Sequence, residues 1–157
     1  MSRTTPATLA LDRAGVVYTL ATYDYNPSAD RIGLQAAEAL GAPAAEVLKT
    51  LIVKADGKPA CVVLASDREV SMKKLAAALG AQSAEMAPPA DAERITGYRV
   101  GGVSPFGQKK RLPTVIDAAA AALDRAYLNG GQRGLQVRMA PRDLVGLLNA
   151  TIAAIAI

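Results

Sequence analysis

The chain has 157 residues, is 51% hydrophobic and 20% charged, and carries a net charge of +4. That length suits one domain with its own core, and the composition excludes a disordered chain. There is no histidine and a single cysteine, which excludes Ser-His and Cys-His catalysis, an internal disulfide and any Cys-rich zinc site.

In chain order, Thr5–Pro6 caps a helix over Ala7–Ala14 that stops at Gly15. Val16–Tyr23 is rich in β-branched and aromatic residues and predicts a strand. Asp24–Arg31, with Asn26–Pro27–Ser28, reads as a loop, Gly33–Leu40 as a helix ended by Gly41, and Ala42–Val47 as a short helix with Pro43 in its first turn. Lys49–Ala55 and Pro59–Ser66 flank Asp56–Gly57, the signature of a hairpin. Ser71 caps a helix through Leu79 that ends at Gly80. Ser83–Met86 predicts a short strand and Ala90–Ile95 a short helix. Thr114–Ile116 predicts a strand, and Asp117 opens an Ala-rich helix to Leu123. Ala126–Leu128 and Leu135–Met139 bracket the turn-like Asn129–Gly134, and Pro141 starts a last helix to Ala150. Hairpins with interspersed helices predict an α+β fold: a mainly antiparallel or mixed sheet curled toward a barrel, with helices outside.

No stretch approaches the about 20 apolar residues of a membrane helix. Met1–Pro6 lacks the apolar core of a signal peptide, so the expected location is the cytoplasm. Charge is uneven: residues 1–93 sum to −2 and residues 94–157 to +6. The basic half is either a face for a polyanion or a solvated surface.

The segment Thr96–Pro113 concentrates the chemistry. Gly101 and Gly102 allow backbone amides close to a ligand, as in an oxyanion hole, although a Gly-Gly pair also marks ordinary turns. Ser104–Pro105 turns the chain, and Lys109, Lys110 and Arg111 set three cations beside the opening. With Arg133 they are candidate phosphate contacts. In the predicted strand, alternation puts Lys49 on the face of Leu51 and Val53, either as a rim ligand turned into a cavity or as the solvated first residue of the strand. Tyr23, at a strand end, offers a hydroxyl and a stacking ring, or simply packs at the edge. Cys61 lies in the apolar run Ala60–Leu64 and reads as a buried thiol. Nothing in the pattern calls for a metal or other cofactor.

The run Val100–Gly-Gly-Val-Ser-Pro-Phe-Gly-Gln-Lys-Lys-Arg-Leu-Pro-Thr-Val-Ile-Asp117, with Thr96–Gly97–Tyr98 before it, closely resembles the YbaK family. These are free-standing deacylases of mischarged tRNA, related to the editing domain of bacterial prolyl-tRNA synthetase. Thr22–Tyr23–Asp24, Lys49–Thr50–Leu51, Lys73–Ala76 and Gly130–Gly131 with Arg133–Leu135 agree in register. The resemblance implies one editing domain over residues 1–157, with a barrel-like mixed sheet ringed by helices. It implies release of cysteine from Cys-tRNA(Pro), with Cys-tRNA(Cys) as a further substrate. Prolyl-tRNA synthetase is the expected partner that supplies tRNA choice. It puts Lys49 at the family's essential lysine and Gly101 at the glycine beside the aminoacyl ester. Tyr23, Thr50, Gly102, Ser104, Pro105 and Asn129 then surround the substrate. Asn129 stands where other members have serine, and Gln136 where some have an acidic residue. The family chemistry uses the substrate's own thiolate, which explains how a chain without histidine can be an enzyme. Two other readings stay open: a sibling enzyme for another mischarged tRNA such as Ala-tRNA(Pro), and a non-catalytic module binding tRNA or a synthetase.

Overall fold

The structure is a computed structural model that describes residues 4–28 and 32–157, without the side chains of Ile32 and Gly33. Residues 1–3 of the N-terminal reading and 29–31 of the predicted loop lie outside the described residues. The helices are α1 (Pro6–Arg13), α2 (Ile32–Leu40), α3 (Met72–Leu79), α4 (Pro89–Thr96), α5 (Ala118–Ala121) and α6 (Pro141–Leu148). The strands are β1 (Thr19–Thr22), β2 (Leu48–Ala55), β3 (Lys58–Ala65), β4 (Ala84–Met86), β5 (Thr114–Asp117), β6 (Ala126–Gln132), β7 (Leu135–Met139) and β8 (Thr151–Ala153).

Local chemistry sets most boundaries. Thr5 Oγ1 accepts from the Thr8 amide at 3.1 Å and Thr8 Oγ1 accepts from the Thr5 amide at 2.8 Å, a reciprocal cap with Pro6 opening the helix. Thr5 also donates to the Gly130 carbonyl at 2.6 Å, so the cap ties α1 to β6. Ser71 caps α3 and Gly80 ends it at φ +69°. Ala44–Glu46 forms a 3-10 turn with Pro43 outside it rather than a helix.

Two sheets form the frame, in the orders β1-β7-β6 and β4-β2-β3-β5-β8. The larger is mixed: β2, β3 and β4 pair antiparallel, whereas β5 runs parallel to both β3 and β8. A parallel bridge, Val47 to Tyr127, links the two sheets at the start of β2. The fold is thus the expected α+β arrangement with mixed sheets. Leu48, Ile52, Cys61, Val63 and Ile116 face Leu128, Val137 and Met139 of the smaller sheet, with Leu11, Phe106 and Leu144 filling the layer between. The opposite face, with Val53, Val62, Leu64 and Val115, packs on Leu75 of α3 and on Ile155.

Four expectations change. The first strand starts at Thr19, leaving Val17 73% exposed. The Ala-rich helix is a single turn, Ala118–Ala121, with Ala120 buried in the core and the chain leaving the helix at Ala122 despite its high propensity. β6 continues through Gly130–Gly131 to Gln132 with a bulge, so the turn is only Arg133–Gly134. The glycines there serve close packing: a Cβ on Gly131 would stand 2.9 Å from the Tyr98 ring, and one on Gly130 2.9 Å from Leu135 Cγ. Thr151–Ala153, beyond the last expected element, is a strand; it pairs with β5, and Asp117 Oδ1 accepts from the Ile155 and Ala156 amides beyond it.

Phe106 is fully buried in the layer between the sheets. Phe106→Ala is expected to lower the unfolding free energy by about 3–5 kcal/mol at unchanged m-value in urea titration.

Candidate functional site

β4 pairs only with Val53–Ala55, so the neighbouring edge of β2 is open from Leu48 to Leu51. The Ala87 amide donates to the Ile52 carbonyl at 3.0 Å on that side. Main-chain groups two residues apart in a strand point the same way, so Thr50 presents its N–H and C=O to the open edge. A cleft of about 480 Å³ sits there. Its walls are the first half of β2, the Ser66–Glu69 loop, the start of α4, Val100–Gly101, and Asn129 and Gln136 of the smaller sheet.

Two polar atoms in this cleft are buried with no hydrogen-bond partner: Thr50 Oγ1 and Gln136 Oε1. Gln136 is 4% exposed. Each orphan costs about 1–3 kcal/mol, a sum that a ligand's donors would remove. Tyr23 lines the same cleft. Burial raises its phenol pKa above 10, Tyr25 adds to the rise, and Gln136 and Gly134 oppose it. Tyr23 is therefore a neutral phenol at pH 7.

The opposite wall is a turn. The Gly102 amide donates to the Arg99 carbonyl at 2.8 Å. Gly101 has φ +89°, a conformation that favours glycine. Its carbonyl accepts from Asn129 Nδ2 at 3.1 Å, while Asn129 Oδ1 accepts from the Gly131 and Gln132 amides at 2.7 and 3.3 Å. Among the described residues the Gly101 N–H has no hydrogen-bond acceptor.

The cleft thus gathers Tyr23, Lys49, Thr50, Gly101 and Asn129 from four separated segments. Lys49 comes from the β2 face of Leu51 and Val53, but that face packs on α3, not on the space between the sheets. Lys49 reaches the cleft as a residue of the open strand end, half-buried and engaged in an interaction. Gly102 lies behind the wall, where a Cβ would meet the Arg133 amide nitrogen at 2.9 Å. Ser104 is fully buried, and its Oγ accepts from the Phe106 amide at 3.2 Å. Pro105 is buried at a separate hollow of about 180 Å³ with Phe106 and Leu112. Lys109, Lys110 and Arg111 are exposed, with the Lys109 amide held by the Thr96 carbonyl at 2.8 Å. Arg133 is committed within the protein: its guanidinium lies 5.0 Å from the Tyr25 ring centroid, and Nε donates to the Val100 carbonyl at 2.9 Å. Sequence reasoning missed Tyr25, although Tyr23–Asp24–Tyr25 sets two tyrosines on one side of an extended segment. It also missed the Ser66–Glu69 wall, a loop with no motif.

Cys61 lies in the core, fully buried. Burial pushes its thiol up to about 12, against smaller opposing effects from Gln108, whose amide lies 3.6 Å away, and Thr114. Among the described residues no cluster of acidic or cysteine side chains is placed to hold a metal ion, and no helix is long and apolar enough to cross a membrane.

An α+β frame with a ligand-sized cleft, lined by residues with buried unpartnered oxygens and by a Gly101 amide without an acceptor among the described residues, defines a domain that can hold a small group with polar ends. Residues 27–147 match the family model of the aminoacyl-tRNA editing domain, and the chain belongs to that family. It is 34% identical over 135 residues to EbsC of Enterococcus faecalis, a candidate Cys-tRNA(Pro)/Cys-tRNA(Cys) deacylase, covering 85% of this chain and 82% of EbsC. It is 38% identical over 84 residues to the proline–tRNA ligase of Acidithiobacillus ferrooxidans, covering 54% of this chain and 15% of the ligase. The crystal structure of the hypothetical protein APE2540 superposes with a TM-score of 0.86 at 25% identity, over 98% of this chain and all of that one. That of a candidate trans-editing enzyme for prolyl-tRNA synthetase superposes with a TM-score of 0.81 at 22% identity, over 97% of this chain and 95% of that one.

Buried and with its pKa pushed up to about 12, the Cys61 thiol stays neutral at pH 8. The native protein is expected to be silent to a disulfide reagent at pH 8 and to react with one equivalent once unfolded in guanidinium, read by absorbance of the released thiolate.

Proposed function

We propose that residues 1–157 act as a single trans-editing deacylase that releases cysteine from mischarged Cys-tRNA(Pro). The observation that carries this reading is the pair of buried, unpartnered oxygens, Thr50 Oγ1 and Gln136 Oε1, on residues that line one cleft with the Gly101 turn. An aminoacyl ester supplies the complement: an ammonium group for the acceptors and an ester oxygen for the Gly101 N–H. Lys49 adds positive charge at the same place, where charge develops on that oxygen.

No thiol of the protein takes part, since Cys61 is in the core. The substrate's own thiolate attacks the ester carbonyl carbon. A C–S bond forms, the C–O bond to the tRNA 3′-ribose breaks, and the ribose oxygen leaves and takes up a proton. The product is a cyclic thiolactone. Such intramolecular attack draws its rate from orientation, which a snug cleft supplies without a general base. Serine and alanine esters fit the same space but have no comparable nucleophile, so sulfur chemistry adds to size selection.

Lys109, Lys110 and Arg111, exposed beyond the turn, suit the acceptor-stem phosphates. They read no sequence, so tRNA choice falls to a partner, and the similarity to proline–tRNA ligases favours prolyl-tRNA synthetase in the cytoplasm.

The test is a deacylation panel of Cys-, Ser- and Ala-tRNA(Pro), with and without the synthetase. The expected result is release from Cys-tRNA(Pro) alone, and Lys49→Ala is expected to lower the rate about 10²-fold or more with its melting temperature kept. Preference for alanine would replace cyclisation by hydrolysis and favour the sibling enzyme. Replacing Lys109, Lys110 and Arg111 together by Gln is expected to weaken tRNA binding and reduce the slope of log K against log salt by about 3.

A further inference from the structure

We propose that Tyr25 and Arg133 form a positioning pair that fixes the direction of the Gly101 N–H, an inference that rests on the deacylase reading for its kinetic arm. Val100 C=O and Gly101 N–H belong to one peptide unit, and that unit is trans, so the two bonds point in opposite directions. Arg133 Nε takes the carbonyl at 2.9 Å. The N–H is thereby turned away from Arg133. A charged donor on the carbonyl also polarises the amide and strengthens the N–H as a donor.

The next peptide unit is pinned as well. Asn129 Nδ2 holds its carbonyl at 3.1 Å, and its N–H, that of Gly102, donates to Arg99 at 2.8 Å. Both planes flanking Gly101 are therefore fixed. Glycine is the one residue with free choice of φ here, so without these restraints the N–H direction would be soft.

Tyr25 supplies the remaining restraint. A Cβ at Gly101 would stand 2.5 Å from the Tyr25 hydroxyl oxygen and 2.9 Å from Cζ, so the hydroxyl end of the ring fills the space beside Gly101 where a side chain would go. The ring face carries the Arg133 guanidinium at 5.0 Å. One aromatic ring thus braces the glycine and the arginine that orients its amide. Arg133, in a basic half that suits phosphates, is thus engaged at the surface of this wall by both its stacking and its hydrogen bond.

The test compares wild type with Tyr25→Phe, Tyr25→Ala, Arg133→Lys and Arg133→Met. It measures kcat and KM on Cys-tRNA(Pro), the salt dependence of tRNA binding, and the Gly101 amide by ¹⁵N NMR and hydrogen exchange, with circular dichroism to check the fold. Tyr25→Ala and Arg133→Met are expected to lower kcat about 10- to 100-fold with KM within about threefold, the sign of an interaction used in the transition state. Tyr25→Phe keeps the ring and is expected to recover kcat to within about threefold of wild type. In both disruptive variants the Gly101 amide resonance shifts and its exchange quickens, whereas the salt slope stays at the wild-type value. An unmoved Gly101 resonance in Arg133→Met overturns the proposal. So does a rise in KM at constant kcat with a salt slope smaller by about one, which marks Arg133 as a phosphate contact. Should wild type release no amino acid from any tRNA, the deacylase reading falls, and the NMR arm alone decides the pair. If Tyr25→Ala does not fold, Arg133→Met carries the same two outcomes.

Discussion

One side chain, Asn129, joins the two halves of the cleft. It donates to the Gly101 carbonyl and accepts from the Gly131 and Gln132 amides, so a single amide locks the turn of one segment onto the bulge of another. The bulge exists because Gly130 and Gly131 allow the strand to press against Leu135 and Tyr98. The turn exists because Gly101 accepts a positive φ. Remove the link and the wall that faces Thr50 and Lys49 is held in place by the Arg133 bond to the Val100 carbonyl and by the Tyr25 ring. A residue with one acceptor and two donors at its tip fills this role; a hydroxyl in its place has a single donor and a shorter reach.

The second constraint is the length of β4. Three residues of pairing stop short of the start of β2 and leave a sheet edge inside the protein. Edges are normally covered or charged. Here the edge is walled by α4, the Ser66–Glu69 loop and the Gly101 turn, which converts unpaired main-chain groups into the lining of a cleft. The Lys54–Asp91 ion pair at 2.7 Å pins α4 over the paired end of β2, where Arg94 joins at 3.3 Å and both cations hold the Asp91 carboxyl below its ordinary range. Ala92 and Ile95 then seal the helix into the core.

Much of this was legible wherever the cause is local. The Thr5 cap, the Asp56–Gly57 hairpin and the Gly80 stop depend on residues within a few positions and appear as the sequence suggests. The Gly101–Gly102 block and Lys49 were visible as a motif, and the fold brings Gly101 and Lys49 to one cleft. What escaped depends on distant partners. Glycines at 130 and 131 look like a turn until Tyr98 and Leu135 are known to press on them. Thr151–Ala153 is a strand only because β5 offers an edge. Alternation assigned Lys49 its face but not the cleft, since the Leu51–Val53 face turned out to meet α3. Tyr25 showed only as a second tyrosine beside Tyr23, because its meaning comes from Gly101 and Arg133 far along the chain.

The sealed state of Cys61 has a consequence for working beside sulfur. An exposed cysteine thiolate attacks disulfides and is itself oxidised by peroxide. With its lone sulfur at zero exposure and held neutral, this chain offers no partner for such exchange. A disulfide in solution finds no thiolate on the native chain to form a mixed disulfide with, and peroxide finds none to oxidise. Oxidation would therefore spare its one cysteine, while an exposed side chain such as Met86 stays open to it.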